Sequence, residues 1–214
     1  MPTPEQILAG AAQIANEWWR IALGWHIVLA VALVALASGW RPSTRLAAGL
    51  SALPLVSVSV ASWAFGNPFN GSMFALLALL LLGLSFRLER APVQTGPAWS
   101  TVSGIIMVAF GWAYPHFLEQ GIPWSYLYAA PFGIIPCPTL SAVVGLALLG
   151  NAYGGRAWST VLGISGVVYG LIGTFRLGVQ IDLVLLAGAV LLLVAAGRAK
   201  RIDTAVKTVD EGAA

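Results

Sequence analysis

The sequence predicts an all-α integral membrane protein with seven transmembrane helices, an external N-terminus and a cytoplasmic C-terminus. Three observations lead to this prediction: an apolar composition, seven hydrophobic segments and an uneven distribution of basic residues between them. Of the 214 residues, 58% are hydrophobic and 9% are charged, and the mean hydropathy is +0.84. Soluble domains carry about a quarter charged residues, and a soluble fold of this length could not bury so much apolar surface. The alternating pattern of a transmembrane β-barrel does not occur, so the spans are helical.

The chain before the first hydrophobic segment, residues 1–20, predicts a short amphipathic helix on the outer surface of the membrane. Thr3 is a suitable N-cap, and Pro4 suits the first helical position, where its missing N–H costs nothing. Apolar residues then recur at helical spacing up to Trp18, which creates one apolar face.

Seven apolar segments reach or approach the length that a membrane-crossing helix needs, roughly 17–25 residues. They cover residues 21–40, 46–66, 71–86, 98–115, 138–153, 157–175 and 179–197. Together they form a transmembrane domain at residues 21–197, which a polar cytoplasmic tail follows at residues 198–214.

Basic residues determine the predicted orientation, because cytoplasmic loops are enriched in Lys and Arg. With the N-terminus outside, only Arg20 and Arg176 of the eleven basic residues fall on the outer side. The other nine fall on the inner side, at Arg41, Arg45, Arg87, Arg90, Arg156, Arg198, Lys200, Arg201 and Lys207. Removing or adding one span would destroy this bias, so the charges support a count of seven.

An internal repeat organises the spans. Residues 99–113 (WSTVSGIIMVAFGWA) and 158–172 (WSTVLGISGVVYGLI) align without gaps, and a weaker third copy begins at Ser43. The spacing predicts one lead helix followed by three helical hairpins in parallel orientation. Parallel repeats of this kind recur in transporters, although duplication is also a simple way to build a helical bundle.

The connection between the fourth and fifth spans is the most informative segment, because prolines break it repeatedly. They stand at Pro115, Pro123, Pro131, Pro136 and Pro138. Proline in a helix interior removes a hydrogen bond and clashes with the preceding turn. The pattern predicts a partly re-entrant outer loop at residues 116–137, which leads into a short fifth helix that begins at Pro138.

The candidate ligand-binding residues are the ionisable and polar side chains in or near the spans: His26, Tyr114, His116, Glu119, Cys137 and Asp182. Cys137 is predicted at the N-cap of the fifth helix, where the helix dipole favours a thiolate. With His116 it would suit zinc or copper, and Glu119 could act as a general base or a further ligand. The alternative is that Cys137 is a small buried residue in a rigid turn.

Two further ionisable residues have both a functional and a structural interpretation. His26 lies inside the first span, where an ionisable residue is a functional candidate, and it could equally bond a neighbouring helix. Asp182 opens the seventh helix, where it would complement the helix dipole or pair with Arg176.

These features favour a small-solute or ion transporter or channel with its site near the broken outer segment. Two alternatives stay open: a membrane-embedded metal, redox or sensory protein that uses Cys137, and a non-catalytic scaffold or accessory subunit. No catalytic motif occurs, so no enzyme activity is predicted, and no cofactor is implied. The predicted partners are the lipid bilayer and a homo-oligomer or membrane complex. Nucleic acid is excluded, because the basic residues do not cluster on one face.

One element resembles a known family. Tyr114-Pro115, then Gly133, then Pro136-Cys137-Pro138-Thr139 at the start of a helix is similar to a bacterial family of multi-pass membrane proteins that is classed as a domain of unknown function. The resemblance implies a bacterial cytoplasmic membrane and a structural signature of Pro115, Pro136, Pro138 and Thr139 around Cys137. It implies no activity, ligand or catalytic residue.

Overall fold

The computed structural model describes residues 3–119 and 122–211, and every regular element within these ranges is helical. The helices are α1 (Pro4–Glu17), α2 (Trp19–Ala37), α3 (Thr44–Ala64), α4 (Pro68–Ser85), α5 (Ala98–Trp112), α6 (Tyr126–Ala129), α7 (Pro136–Leu149), α8 (Arg156–Leu171) and α9 (Leu183–Glu211). Short 3₁₀ turns precede α6, α8 and α9, and a π-helical turn, Ile172–Arg176, ends α8. The all-α prediction is therefore confirmed.

Five helices are long and apolar enough to cross a membrane: Trp19–Ala37, Thr44–Ala64, Pro68–Ser85, Arg156–Arg176 and Gln180–Arg198. The structure thus supports a multi-pass membrane protein without confirming all seven spans. The helices α5 and α7 are apolar but have only 15 and 14 residues. At 1.5 Å per residue each is roughly 22 Å long, shorter than the ~30 Å hydrocarbon core.

Predicted span 98–115 is too long because α5 ends at Trp112. Tyr114 precedes Pro115, and a residue before proline is disfavoured in the helical conformation. Another boundary needs correction: the fifth helix begins at Pro136, not Pro138. The predicted polar tail at residues 198–214 continues α9 without a break as far as Glu211, and residues 212–214 lie outside the described residues.

The start of α7 follows from its prolines. Ile135 is extended, as the residue before a proline prefers, and forms the N-cap. Pro136 and Pro138 then occupy the first turn, where backbone N–H groups have no intrahelical acceptor. Cys137 is consequently inside the first turn rather than at the N-cap.

The most extensive packing joins three pairs of long helices that follow one another in the sequence: α3 with α4, α8 with α9, and α5 with α7, which only the four-residue α6 separates. These are the predicted hairpins, although their origin in a repeat stays a prediction. Helix α7 is at the centre and also contacts α3, α8 and α9. Glycines allow its close approach to α5: a Cβ at Gly145 would lie 2.6 Å from the Val108 nitrogen and 2.8 Å from the Gly104 oxygen.

Connections meet at two ends of the bundle. At the arginine end, defined as residues 38–43, 86–97 and 150–156, Val93 N–H donates to the Pro42 oxygen at 2.8 Å, and Gly96 N–H donates to the Leu149 oxygen at 3.2 Å. At the other end is the broken segment, residues 113–135. Helix α1 begins with the expected Thr3 cap and contacts this segment, since the Asn16 amide donates to the Phe117 oxygen at 2.9 Å.

Candidate functional site

A buried carboxylate bonded to a buried tyrosine is the centre of the candidate site. The Tyr114 hydroxyl donates to Asp182 Oδ1 at 2.7 Å. The exposed fractions of the two side chains are 0% and 1%. The residues are 68 positions apart in the chain, so the pair joins the end of α5 to the start of α9. Asp182 therefore pairs with Tyr114 and not with Arg176, whose side chain is exposed.

The backbone around the end of α8 places Asp182 inside the bundle. After the π-helical turn, Val179 N–H donates to the Gly173 oxygen at 2.9 Å, and Asp182 N–H donates to the Val179 oxygen at 3.0 Å. These bonds fold the connection back over α8. Gly173 leaves the space for the carboxylate, because a Cβ at this position would collide with Asp182 Oδ2. π-Helical turns occur often at functional sites.

Two further predicted residues lie near this pair. The Tyr114 and His116 ring centres lie 6.5 Å apart, and the Cys137 thiol is within electrostatic range of the Asp182 carboxylate. Cys137 is half-buried, and the His116 ring packs against Phe117 with ring centres 4.2 Å apart. We call Asp182, Tyr114, Cys137 and His116 the Asp182 cluster.

The π-helical turn also contains an unpaired hydroxyl. Thr174 is 2% exposed, and its Oγ1 atom has no hydrogen-bond partner among the described residues. Buried polar atoms without a partner are rare in folded proteins and require an explanation. Thr174 directly follows Gly173, which contacts Asp182, so this oxygen lies next to the cluster in the chain.

His26 is buried but belongs to a different contact. Its Nδ1 atom lies 2.8 Å from the Ala22 oxygen and its Nε2 atom 2.8 Å from the Trp112 oxygen. The second contact ties α2 to the C-terminal end of α5, as the structural interpretation of His26 expects. A neutral imidazole has one N–H donor, so it cannot donate to both carbonyls.

Glu119 is the remaining candidate, and the structure does not bring it into the cluster. Its side chain is exposed, and its backbone N–H donates to Asn16 Oδ1 at 3.1 Å. Within the described parts of the chain, no group of three or more His, Cys, Asp or Glu side chains is arranged to bind a metal ion. A metal site on Cys137 and His116 therefore lacks a third ligand of these types there.

The structural signature around Cys137 orders the start of α7. The Thr139 hydroxyl donates to the Ile135 oxygen at 2.6 Å and accepts from Gly133 N–H at 2.9 Å. Gly133 has a φ of +81°, and a Cβ there would collide with the Trp25 ring. A side chain at this position would therefore meet both an unfavourable backbone conformation and a steric clash.

Sequence reasoning missed Gly173 and Thr174 as site residues. One signal existed: continuing the alignment of the two repeat copies by one position pairs Tyr114 with Gly173. Both residues contact Asp182 in the structure. The equivalent ends of the two copies thus form two walls of the cluster.

No family model matches this chain, and comparisons with curated proteins and with solved structures find no significant similarity. The resemblance of the Pro-Cys-Pro-Thr element to a bacterial family therefore stays a prediction.

Proposed function

We propose that this protein is a small-solute or ion transporter of a bacterial cytoplasmic membrane, in which Asp182 binds a proton or a cation. The observation that carries the proposal is the buried Asp182 carboxylate, whose partner is the neutral Tyr114 hydroxyl rather than a basic side chain. Ionisable residues inside membrane domains are expensive and usually mark ion or proton pathways.

Binding follows from the cost of burial. A carboxylate away from water is strongly destabilised unless it is neutralised or paired. A bound proton or cation would provide that neutralisation, and the Tyr114 hydroxyl would orient one carboxylate oxygen. Thr174 Oγ1 is a further oxygen that a hard cation could use, because it is buried without a partner in the described chain.

The setting also favours transport. In transporters, ion sites lie where helices are interrupted and unwound backbone borders a cavity. The cluster lies at two such interruptions, the π-helical turn Ile172–Arg176 and the broken segment after α5. Two cavities of about 500 Å³ and 260 Å³ lie elsewhere in the described part of the chain, and Asp182 lines neither of them. Solute access would therefore require a second conformation, in which one of these interrupted segments moves.

The proposal retains seven crossings, with the N-terminus outside and the arginine end in the cytoplasm. Ten residues of the short helix α7 are buried, so protein rather than lipid surrounds most of it. A helix in that position need not match the bilayer thickness. On α5, Val102, Ile105 and Ile106 are each more than half exposed, which suits a lipid-facing surface. An arginine-rich side agrees with the positive-inside rule.

Proton and sodium flux in proteoliposomes would test the proposal. Purified protein is reconstituted with a trapped pH-sensitive dye, or radioactive sodium is added outside, and a potassium diffusion potential drives cation entry. We expect flux above that of empty vesicles for one of the two cations, and a loss of at least about tenfold in Asp182→Asn. Glu89→Gln is the matched control, because it removes the charge of an exposed carboxylate at the arginine end.

Two outcomes would contradict the proposal. Wild-type flux equal to that of empty vesicles for both cations would favour the scaffold or accessory-subunit hypothesis, and co-purification of a stoichiometric partner would then support it. Equal flux in wild type and Asp182→Asn would show that ions follow a different route. A Cys137→Ser variant with unchanged flux would remove the reason for a redox or metal function.

A further inference from the structure

A long apolar groove runs beside α2, on a part of the molecule separate from the Asp182 cluster. Its volume is about 500 Å³, within the range of roughly 300–1,000 Å³ that is typical of ligand sites. It extends from Trp25 and Phe132 at one end to Trp40 and Arg41 at the other. At 1.5 Å per residue, this is roughly 20 Å along the helix axis.

The groove exists because the second half of α2 has no fully buried residue, although Leu33 packs against the core cluster that includes Val108 and Phe132. The buried residues of α2 are Ala22, His26 and Leu29, all within its first eleven residues. From Ala30 onward the side chains are half-buried or exposed. The His26 bond to Trp112 fastens the first half to α5. The groove wall that faces the second half of α2 includes Ala47, Leu50 and Leu146.

The two ends of the groove differ in polarity. Near the broken segment, the Trp25 ring packs over Gly133 and against Phe132, with ring centres 6.5 Å apart. At the arginine end, the groove adjoins a smaller recess of about 260 Å³, and Arg41, Val93 and Thr95 line both spaces. The other lining residues of the recess are Pro92 and Gln94. The apolar groove thus ends at a polar recess that the positively charged Arg41 side chain lines.

Arg41 is placed to receive an anion. Its Nη1 atom donates to the Leu36 oxygen at 2.7 Å and to the Trp40 oxygen at 3.2 Å, which orients the guanidinium at the end of α2. Guanidinium has five N–H donors in a planar fork that matches phosphate, so one nitrogen bonded to the backbone leaves the others for a ligand. The side chain is exposed.

Strained backbone lies at the arginine end of the groove as well. Asn151, Ala152 and Tyr153 have consecutive positive φ angles of 51°, 54° and 52°. Such angles are unfavourable for residues with a Cβ, and strain of this kind is concentrated at ligand sites. The turn positions Tyr153 in the groove wall, where its hydroxyl is 2.8 Å from Ser51 Oγ.

We propose that the groove binds an acyl chain of an anionic glycerophospholipid, with the lipid phosphate on Arg41. An apolar channel next to a bilayer would be filled by hydrocarbon rather than by water. The arginine beside Gln94 and Thr95 selects a negative headgroup and supplies polar partners for it. The proposal is independent of ion binding at Asp182.

Lipid retention by the purified full-length chain would test this proposal. The protein is equilibrated in mixed micelles that contain phosphatidylglycerol and phosphatidylcholine with identical acyl chains, and bound lipid is counted by native mass spectrometry. We expect preferential retention of phosphatidylglycerol. Arg41→Gln should reduce that preference about five-fold, as expected for one basic residue near an anionic lipid. Arg87→Gln, at an exposed arginine that lines neither space, should leave it unchanged.

A second pair of variants tests the groove itself. Ala32→Phe fills part of the groove and should reduce the retention of both lipids. Val31→Phe, on the same helix but outside the groove, should not reduce it. Arg41→Lys keeps the charge and should retain part of the preference, which separates anion binding from the loss of the Arg41 hydrogen bonds to the Leu36 and Trp40 oxygens. Circular dichroism checks that each variant is folded.

Three results would overturn the proposal. Equal losses in Arg41→Gln and Arg87→Gln would mean that only the general surface charge attracts the lipid. Equal retention of both lipids by the wild type would mean that the groove accepts any chain. Cross-linking of an Ala32→Cys variant through position 32 to a second copy of the chain, with no lipid bound, would make the groove a protein interface.

Discussion

The helices α7 and α2 are both apolar, but they differ in how much of each is covered by the rest of the protein. Helix α7 has ten buried residues and packs against α5, α9, α8 and α3. Helix α2 has a mean hydropathy of 2.0, which suits a membrane span, and only three buried residues. Apolar composition therefore shows that a helix avoids water, but not whether protein or lipid replaces it. Small residues decide this for α7, because they let its neighbours approach.

The largest expected difference between the two regions is the effect of a glycine-to-alanine substitution on the free energy of unfolding. Gly145→Ala in α7 would force α5 away, and overpacking of this kind costs about 1–3 kcal/mol. Gly24→Ala in α2 meets no atom within 4 Å and should gain up to about 1 kcal/mol from helix propensity. Unfolding in mixed micelles with increasing sodium dodecyl sulfate would measure both. Effects of the same sign would contradict the difference in packing.

The Asp182 cluster provides the next comparison, because it belongs to the α7 region. Gly173→Ala should displace the Asp182 carboxylate and lower cation flux by about 10- to 100-fold, since small misplacements of a binding group are expensive. Gly197→Ala, in α9 with no atom within 4 Å of an added Cβ, is the control and should leave the flux unchanged. If Gly173→Ala transports normally, the close contact with Asp182 has no functional role.

Hydroxyl groups provide a smaller test. Thr139→Val at the start of α7 removes a buried donor and acceptor and leaves the Gly133 N–H without its partner, at a cost of about 1–3 kcal/mol. Ser38→Ala at the end of α2 removes an exposed bond to the Ala35 oxygen and should cost no more than about 0.5 kcal/mol. The same unfolding assay applies. A loss at Ser38 as large as that at Thr139 would mean that the end of α2 is as tightly packed as α7.

Most helices were predictable because hydropathy and proline act locally. The predicted spans at 21–40, 46–66, 157–175 and 179–197 each overlap a helix long enough to cross a membrane. The predicted span at 71–86 corresponds to α4, which begins slightly earlier, at Pro68. Errors appeared where two local preferences compete. The alternation of prolines and apolar residues before Thr139 allowed two starts for α7, and the structure selects the one with both prolines in the first turn.

The candidate site was predictable in composition but not in arrangement. Cys137, His116, Tyr114 and Asp182 were recognised as unusual residues for a membrane domain, and they converge in the structure. His26 and Glu119 were recognised by the same criterion and lie elsewhere. A residue type indicates that burial would be costly, whereas its partner depends on which helices pack together.

The sequence by itself determined the class of protein: an apolar, helical, multi-pass chain whose basic residues gather in alternate connections. These properties are sums over neighbouring residues, so no tertiary contact is needed to read them. Only the tertiary structure decided that Tyr114 meets Asp182 across 68 residues, and that α2 leaves a groove ending at Arg41. Both depend on how closely helices that are distant in the chain approach each other. That distance is set by small residues at particular contacts, such as Gly145 and Gly173, and not by average hydropathy.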